Sequence, residues 1–140
     1  MNKIKYDSDL IKLITLFESM SGANAKDCIT YDNKDNIIFI IEENEMGKAI
    51  GKNGANIKRV EDLLKRKIKL VEFSQDILQF VKNMIYPAEV NDIKQEDGVI
   101  TIYGKDSNSK AKIIGRERRN INNLTKIAKR YFDVKEIKVL

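Results

Sequence analysis

The chain has 140 residues, 42% hydrophobic and 34% charged, with 7 Gly and 1 Pro, the make-up of one packed domain or two small ones and not of a disordered or linker-rich chain. It has no His, no Trp and one Cys, so His-based acid–base catalysis, Ser-His or Cys-His triads and His/Cys zinc sites lack their parts; neither enzymatic activity, nor a cofactor, nor a metal is expected. Its net charge of +5 is unevenly spread: residues 47–71 hold eight Lys/Arg against two Asp/Glu and residues 105–130 hold nine against two, so these windows carry +13 and the remainder −8. Segregated positive charge draws a polyanion, nucleic acid first; the blander alternative is a solvated basic helix face.

In chain order, Leu10, Leu13, Ile14 and Phe17 recur at i, i+3, i+4 and i+7 and predict an amphipathic helix, capped by Asp7 or Ser8 and closed by Gly22. Strands follow at residues 27–31 and 37–41, joined by a loose turn over 33–36. Cys28 reads as a small buried hydrophobe. Next come a short helix, a glycine turn, a longer helix turning Val60, Leu63 and Leu64 inward, and a closing strand over 68–73. The order then begins again. Ile77, Phe80, Val81 and Met84 form the second stripe, with Ser74 as N-cap and Pro87 as terminator, because proline pushes Tyr86 out of helical geometry. Strands at 89–94 and 99–103 meet at Asp97-Gly98, a pair suited to the positive φ of a tight hairpin. Leu124, Ile127 and Ala128 mark the second long helix, and residues 134–139 close the chain.

The order is an internal repeat. Residues 48–66 align without gaps on 112–130 at an offset of 64, with Lys48/Lys112, Ile50/Ile114, Gly51/Gly115, Asn56/Asn120, Ile57/Ile121, Lys65/Lys129 and Arg66/Arg130 identical; upstream, residues 35–38 align on 97–100 at an offset of 62. The expected fold is α+β: two tandem αββααβ units, residues 1–73 and 74–140, each a three-stranded sheet covered by helices on one face.

The sharpest feature is Ile50-Gly51-Lys52-Asn53-Gly54-Ala55-Asn56-Ile57. Gly51 stands where a short helix must stop, in a left-handed conformation that only glycine enters without steric cost. Gly54 has no side chain to hold a phosphodiester off the main chain, and the helix that starts beyond it turns unpaired N–H groups and a positive dipole toward the turn. Lys52 adds a charge and Asn53 a donor, while Ile50 and Ile57 are placed to pin both helices to the sheet. Lys48, Asn56, Lys58 and Arg59 complete the candidate surface. The string resembles the Ile-Gly-x-x-Gly-x-x-Ile motif of KH domains, and the element order resembles their type II arrangement, which implies a clamp for about four single-stranded nucleotides. Ile38 and Ile40, or alternatively Phe39 and Ile41, would then form one side of an apolar base groove. Two such units in tandem resemble the archaeal NusA-like transcription factor family, a likeness that implies RNA binding in transcription termination or elongation.

The second copy departs from the motif. Gly115 and both isoleucines remain, but Glu117 intrudes and Arg118 replaces the second glycine. A side chain there hinders close main-chain approach, while Arg116, Arg118 and Arg119, with Lys112 and Asn120 beside them, can grip phosphates through charged, bidentate hydrogen bonds. Binding with altered geometry is expected; a purely structural unit is the alternative. Gly47 to Lys52 lacks the glycine and the Ser/Thr of a phosphate-binding loop, with Met46 and Asn53 in their places. Glu42, Glu43 and Glu45 read as a solvated loop and helix start. The partner expected is single-stranded RNA, in particular a nascent transcript, with single-stranded DNA open. No membrane association is expected, the longest apolar run being residues 37–41, and no secretory signal is seen; a cytoplasmic monomer follows. The competing readings are a ribosome-associated or RNA-processing KH protein and an adaptor docking on RNA polymerase through acidic faces.

Overall fold

A computed structural model describes residues 8–31 and 36–140; Asp7 and most of the 33–36 turn lie outside the described residues. The described residues fall into two compact units that divide between Ser74 and Gln75.

In the first unit, helix α1 (Ser8–Ser21) ends at Gly22, whose φ of +76° lets its N–H reach the Glu18 carbonyl at 2.9 Å. Strand β1 (Ala25–Tyr31) pairs antiparallel with β2 (Asn36–Ile41), and β2 pairs in parallel with β3 (Lys67–Glu72), giving the order β1-β2-β3. A parallel pair needs a crossover. Here it is α2 (Met46–Ile50), a three-residue turn (Lys52–Gly54) and α3 (Ala55–Leu64), so the glycine turn sits in the connection the sheet topology demands. Ile37, Phe39 and Ile41 share a core with Phe17, Ala49 and Val60. The Phe17 and Phe39 rings stack at 4.4 Å, and full burial of such a side chain contributes about 2–3 kcal/mol.

The second unit runs through the same order: α4 (Ile77–Ile85), β4 (Val90–Glu96), β5 (Val99–Gly104), α5 (Ser107–Ile114), a 3₁₀ turn (Arg116–Arg118), α6 (Arg119–Tyr131) and β6 (Glu136–Val139). Its sheet order is β4-β5-β6, antiparallel then parallel. All four residues of the second stripe are buried. Asp97 and Gly98 take φ of +51° and +80°, the positive values a two-residue hairpin needs.

Four details differ from the expectation. The cap of α4 is Asp76, whose carboxylate accepts from the Leu78 N–H at 3.1 Å, and not Ser74. Strand β2 matches β5 at an offset of 63 and not 62: the bulged ladders set Ala25 opposite Ile41 and Val90 opposite Gly104, which pairs Ile41 with Gly104 between the copies. A one-residue slip exchanges the two faces of a strand, and burial agrees, since Ile100 and Ile102 are inside as Ile37 and Phe39 are. Leu63 is 58% exposed where its counterpart Ile127 is fully buried. Finally, helices cover one face of each sheet, but in β2 both faces are buried, Ile38 and Ile40 on one side and Ile37, Phe39 and Ile41 on the other; β5 alternates buried and half-buried residues.

Candidate nucleic-acid interface

The first turn is built around Gly51. Its N–H closes α2 on the Gly47 carbonyl at 2.9 Å, and its φ of 77° and ψ of 171° lie outside the left-handed helical well, in an extended positive-φ region more strictly reserved for glycine. A Cβ there would stand 2.7 Å from the Asn56 Cγ and 2.8 Å from the Asn56 main-chain nitrogen. Gly54 is different. Its φ of 74° and ψ of 16° are ordinary left-handed values, and a Cβ would meet nothing nearer than the Ile57 Cγ2 at 3.9 Å. The outer face of the turn at Gly54 is therefore open. Helix α3 starts from Gly54 with no side-chain cap, and the N–H of its first residue, Ala55, donates to the Lys52 carbonyl; the positive end of the helix dipole faces the turn.

The second turn has the same backbone. Gly115 has φ 77° and ψ 167°, and a Cβ there would lie 2.6 Å from the Asn120 Cγ. Asn53 (φ 55°, ψ 28°) and Glu117 (φ 55°, ψ 32°) match, as do Gly54 and Arg118 (φ 61°, ψ 21°). Arg118 N–H donates to the Gly115 carbonyl at 3.1 Å as Gly54 N–H does to Gly51. The main chain of the two turns is thus the same, and the difference between the copies is confined to the side chain on the corner.

Around the first turn, Lys48, Lys52, Asn53, Lys58 and Arg59 are exposed, as are Lys112, Arg116, Arg118 and Asn120 around the second, with Arg119 half-buried. Lys48 lies 4.0 Å from Glu45 in a loose ion pair. Ile50 is 39% exposed and does not pin its helix to the sheet; it offers an apolar surface beside the turn, while Ile57 is half-buried. Asn56 and Asn120 do something their residue type alone did not announce. Each reaches across its turn to donate to a carbonyl of the preceding helix, Asn56 to Lys48 at 2.7 Å and Asn120 to Lys112 at 2.9 Å. Arg59 then donates to the Asn56 side-chain oxygen at 2.8 Å and to the Met20 carbonyl at 3.1 Å, tying the turn to α1. These three side chains support the turn.

The β2 residues cannot line a base groove: Ile38, Phe39, Ile40 and Ile41 are at most 5% exposed. The open grooves lie instead between each long helix and its closing strand. In the first unit a groove of about 520 Å³ is bordered by Asn36, Glu61, Lys65, Arg66 and Lys67. In the second, one of about 470 Å³ runs from Arg118 along α6 to Lys126 and Lys129, faced by Lys135. The sequence signal for the latter was present in the spacing of Asn122, Lys126 and Lys129 on the polar face of α6, opposite Leu124, Ile127 and Ala128. Glu45 accepts from the Asn24 main-chain and side-chain nitrogens, and Cys28 is buried.

A KH domain family model matches residues 13–75, which include the first turn. Three archaeal proteins, each named a probable transcription termination protein NusA, match nearly the whole chain. That of Methanococcus vannielii is 38% identical over 99% of this chain and 80% of its own length. That of Halococcus morrhuae is 30% identical over 98% and 99%, and that of Methanocaldococcus jannaschii 27% identical over 100% and 77%. Among solved structures, the crystal structure of APE1850 superposes with a TM-score of 0.73 at 25% identity, covering 96% of this chain and all of that one. With alignments that span both units, the chain belongs to the archaeal family of NusA-like KH proteins.

Proposed function

We propose that the protein is a non-enzymatic binder of single-stranded RNA, built from two tandem type II KH domains at residues 1–73 and 74–140, which acts as a cytoplasmic monomer on nascent transcripts during transcription termination, antitermination or elongation. The observation that carries this is the open corner at Gly54: a main-chain turn with no Cβ, at the uncapped start of a helix, beside the exposed Lys52 and Asn53. A phosphodiester can approach such a corner closely, and the positive end of the helix dipole favours its charge. Lys52 supplies a mobile cation and Asn53 a neutral donor, while Ile50 gives a base an apolar surface. Gly51, Asn56 and Arg59 hold the corner in shape. The relatives are named probable transcription termination proteins, which supports a role in transcription, and the match to KH domains supports RNA as the ligand. Among the described residues no helix is long and apolar enough to cross a membrane.

The test is selection from random single-stranded RNA pools on the purified chain, with single-stranded DNA and duplex RNA pools in parallel. Retention of single-stranded RNA above both is expected. Retention of duplex alone, or of nothing, refutes the proposal.

A further inference from the structure

The helix layers of the two units are closed to different degrees. In the second, α6 packs beside α4, and the ring of Phe132, just past α6, stands 5.7 Å from that of Phe80; Phe80 and Ile127 are both fully buried. In the first, α3 packs beside α1, with the Arg59 guanidinium donating to the Met20 carbonyl at 3.1 Å. Leu63 follows Arg59 by one turn on the same flank of α3, and it is 58% exposed. On α1, Leu16 shares a flank with Met20, and both are half-buried, as is Leu13. Matching the last bonds of α1 and α4, Gly22 N–H to Glu18 and Tyr86 N–H to Lys82, sets Leu16 in the place of the buried Phe80. The cause is chain length. From helix start to matched strand residue, Ala55 to Lys67 is 12 positions and Arg119 to Glu136 is 17. The longer segment carries Phe132, while the first unit passes from Leu64 to Lys67 through Lys65 and Arg66 alone. It keeps the seam between the helices and lacks the ring that fills it.

A seam with an aliphatic floor gains most from an aromatic or aliphatic side chain that a partner inserts and desolvates. The charges around it are Lys12, Arg59 and Arg66 against Asp9 and Asp62, and none of the three cations forms an ion pair among the described residues. A second copy of the chain fits poorly, because a two-fold contact sets the patch against itself and cation against cation. RNA would satisfy the cations but lay a charged backbone on Leu16 and Leu63. We infer that the α1–α3 seam of the first unit docks another protein through an acidic segment, which inserts an aromatic side chain where Phe132 sits in the second unit. The ring covers Leu16 and Leu63, and the Asp or Glu residues beside it meet Lys12 and Arg66. This surface is separate from the Gly54 corner and does not depend on the RNA-binding function proposed above.

The experiment selects random peptides of about 12 residues, displayed on phage, against the purified full chain; the enriched peptides are then synthesised and titrated by fluorescence anisotropy. Enrichment of peptides with one aromatic residue flanked by Asp or Glu is expected. Leu63→Ser should weaken them about tenfold, as truncation of a buried contact at the centre of an interface does, and Lys12→Ala with Arg66→Ala should remove most of the salt dependence of their affinity. Leu63→Ser should leave single-stranded RNA binding unchanged. No enrichment, enrichment of peptides without an aromatic or without acids, or equal affinity for the Leu63→Ser chain overturns the inference. Peptides that keep their affinity for Leu63→Ser and lose it for the Lys52→Asp, Asn53→Asp chain overturn it in favour of the Gly54 corner. A dimer in sedimentation equilibrium that Leu63→Ser dissolves overturns it in favour of a second copy. Unchanged far-ultraviolet circular dichroism establishes that the variants are folded.

Discussion

Gly51 and Gly115 occupy the same strained corner to within a few degrees, yet three residues on, the two turns part company: Gly54 leaves its corner bare and Arg118 fills it with a guanidinium. The contrast separates two reasons for glycine. At the first position the reason is steric and internal, because a Cβ would collide with the main-chain nitrogen of Asn56 or Asn120 at 2.8 Å. At the second it is conformational alone, since Gly54 has a left-handed φ of 74° and a Cβ there meets only the Ile57 Cγ2 at 3.9 Å. An arginine can therefore stand at the second position without changing the turn, at the cost of a left-handed conformation, about 1–2 kcal/mol. The fold demands the first glycine; the second it only favours, through its left-handed φ, and the bare corner there is what the proposed function draws on.

The largest effect should come from testing that division directly. Gly51→Ala and Gly115→Ala are each expected to destabilise their unit by about 3 kcal/mol in urea denaturation, combining the forbidden dihedral with the collision; a loss below 1 kcal/mol would mean that the turn relaxes easily. Next, Asn56→Ala and Asn120→Ala each remove a hydrogen bond from the preceding helix carbonyl and should cost about 1 kcal/mol. Asn56→Ala should cost more than Asn120→Ala, because Arg59 loses a partner only in the first unit. Exchanging the corner residues gives a smaller, signed pair. Gly54→Arg should lose, and Arg118→Gly should gain, about 0.5–1 kcal/mol, the left-handed cost less the chain entropy of glycine. Equal and negligible effects would show that the corner is not strained at Arg118.

The smallest expected effect lies at the helix starts. Asp106 caps α5, and the Ser109 N–H at 2.8 Å holds its carboxyl below the ordinary carboxylate value. Glu45, at the start of α2, makes no such cap. A depressed folded-state value means that the cap stabilises above the unfolded value of about 3.9 and is lost as pH falls through the folded one. The difference in Tm between the unaltered chain and Asp106→Ala should thus be present at neutral pH and close in strong acid. A difference that persists in acid would assign the role to something other than the charge.

Much of this was legible in the sequence because the repeat supplies each element twice. The stripes at Phe17 and Phe80, the Asp97-Gly98 hairpin and both turns follow from spacing and glycine placement, which are local. What stayed hidden depends on register or on reach. The offset of 63 between β2 and β5 follows from connection lengths, four residues between β1 and β2 against two between β4 and β5, because the bulges at residues 25–27 and 90–92 recur in both copies; the continuous run of isoleucines around Phe39 gives no alternation to fix its face. Leu63 and Ile127 are aligned and both apolar, so their opposite exposures reflect packing that residue type does not carry. The sequence offers Asn56 and Asn120 as candidates for RNA contact; their bonds to Lys48 and Lys112 span eight residues across a turn whose shape must be known first. The cationic groove eluded notice because Lys135 comes from the loop before β6 and joins α6 only in three dimensions.

The central claim is that the Gly54 corner, with Lys52 and Asn53 beside it, seats an RNA backbone. Its most direct test is the double variant Lys52→Asp and Asn53→Asp, titrated with single-stranded RNA at fixed salt. Both side chains are exposed, and Asp tolerates the left-handed dihedral at residue 53, so helical content and Tm should be nearly unchanged while affinity falls below detection. Undiminished affinity in a folded double variant would contradict the claim.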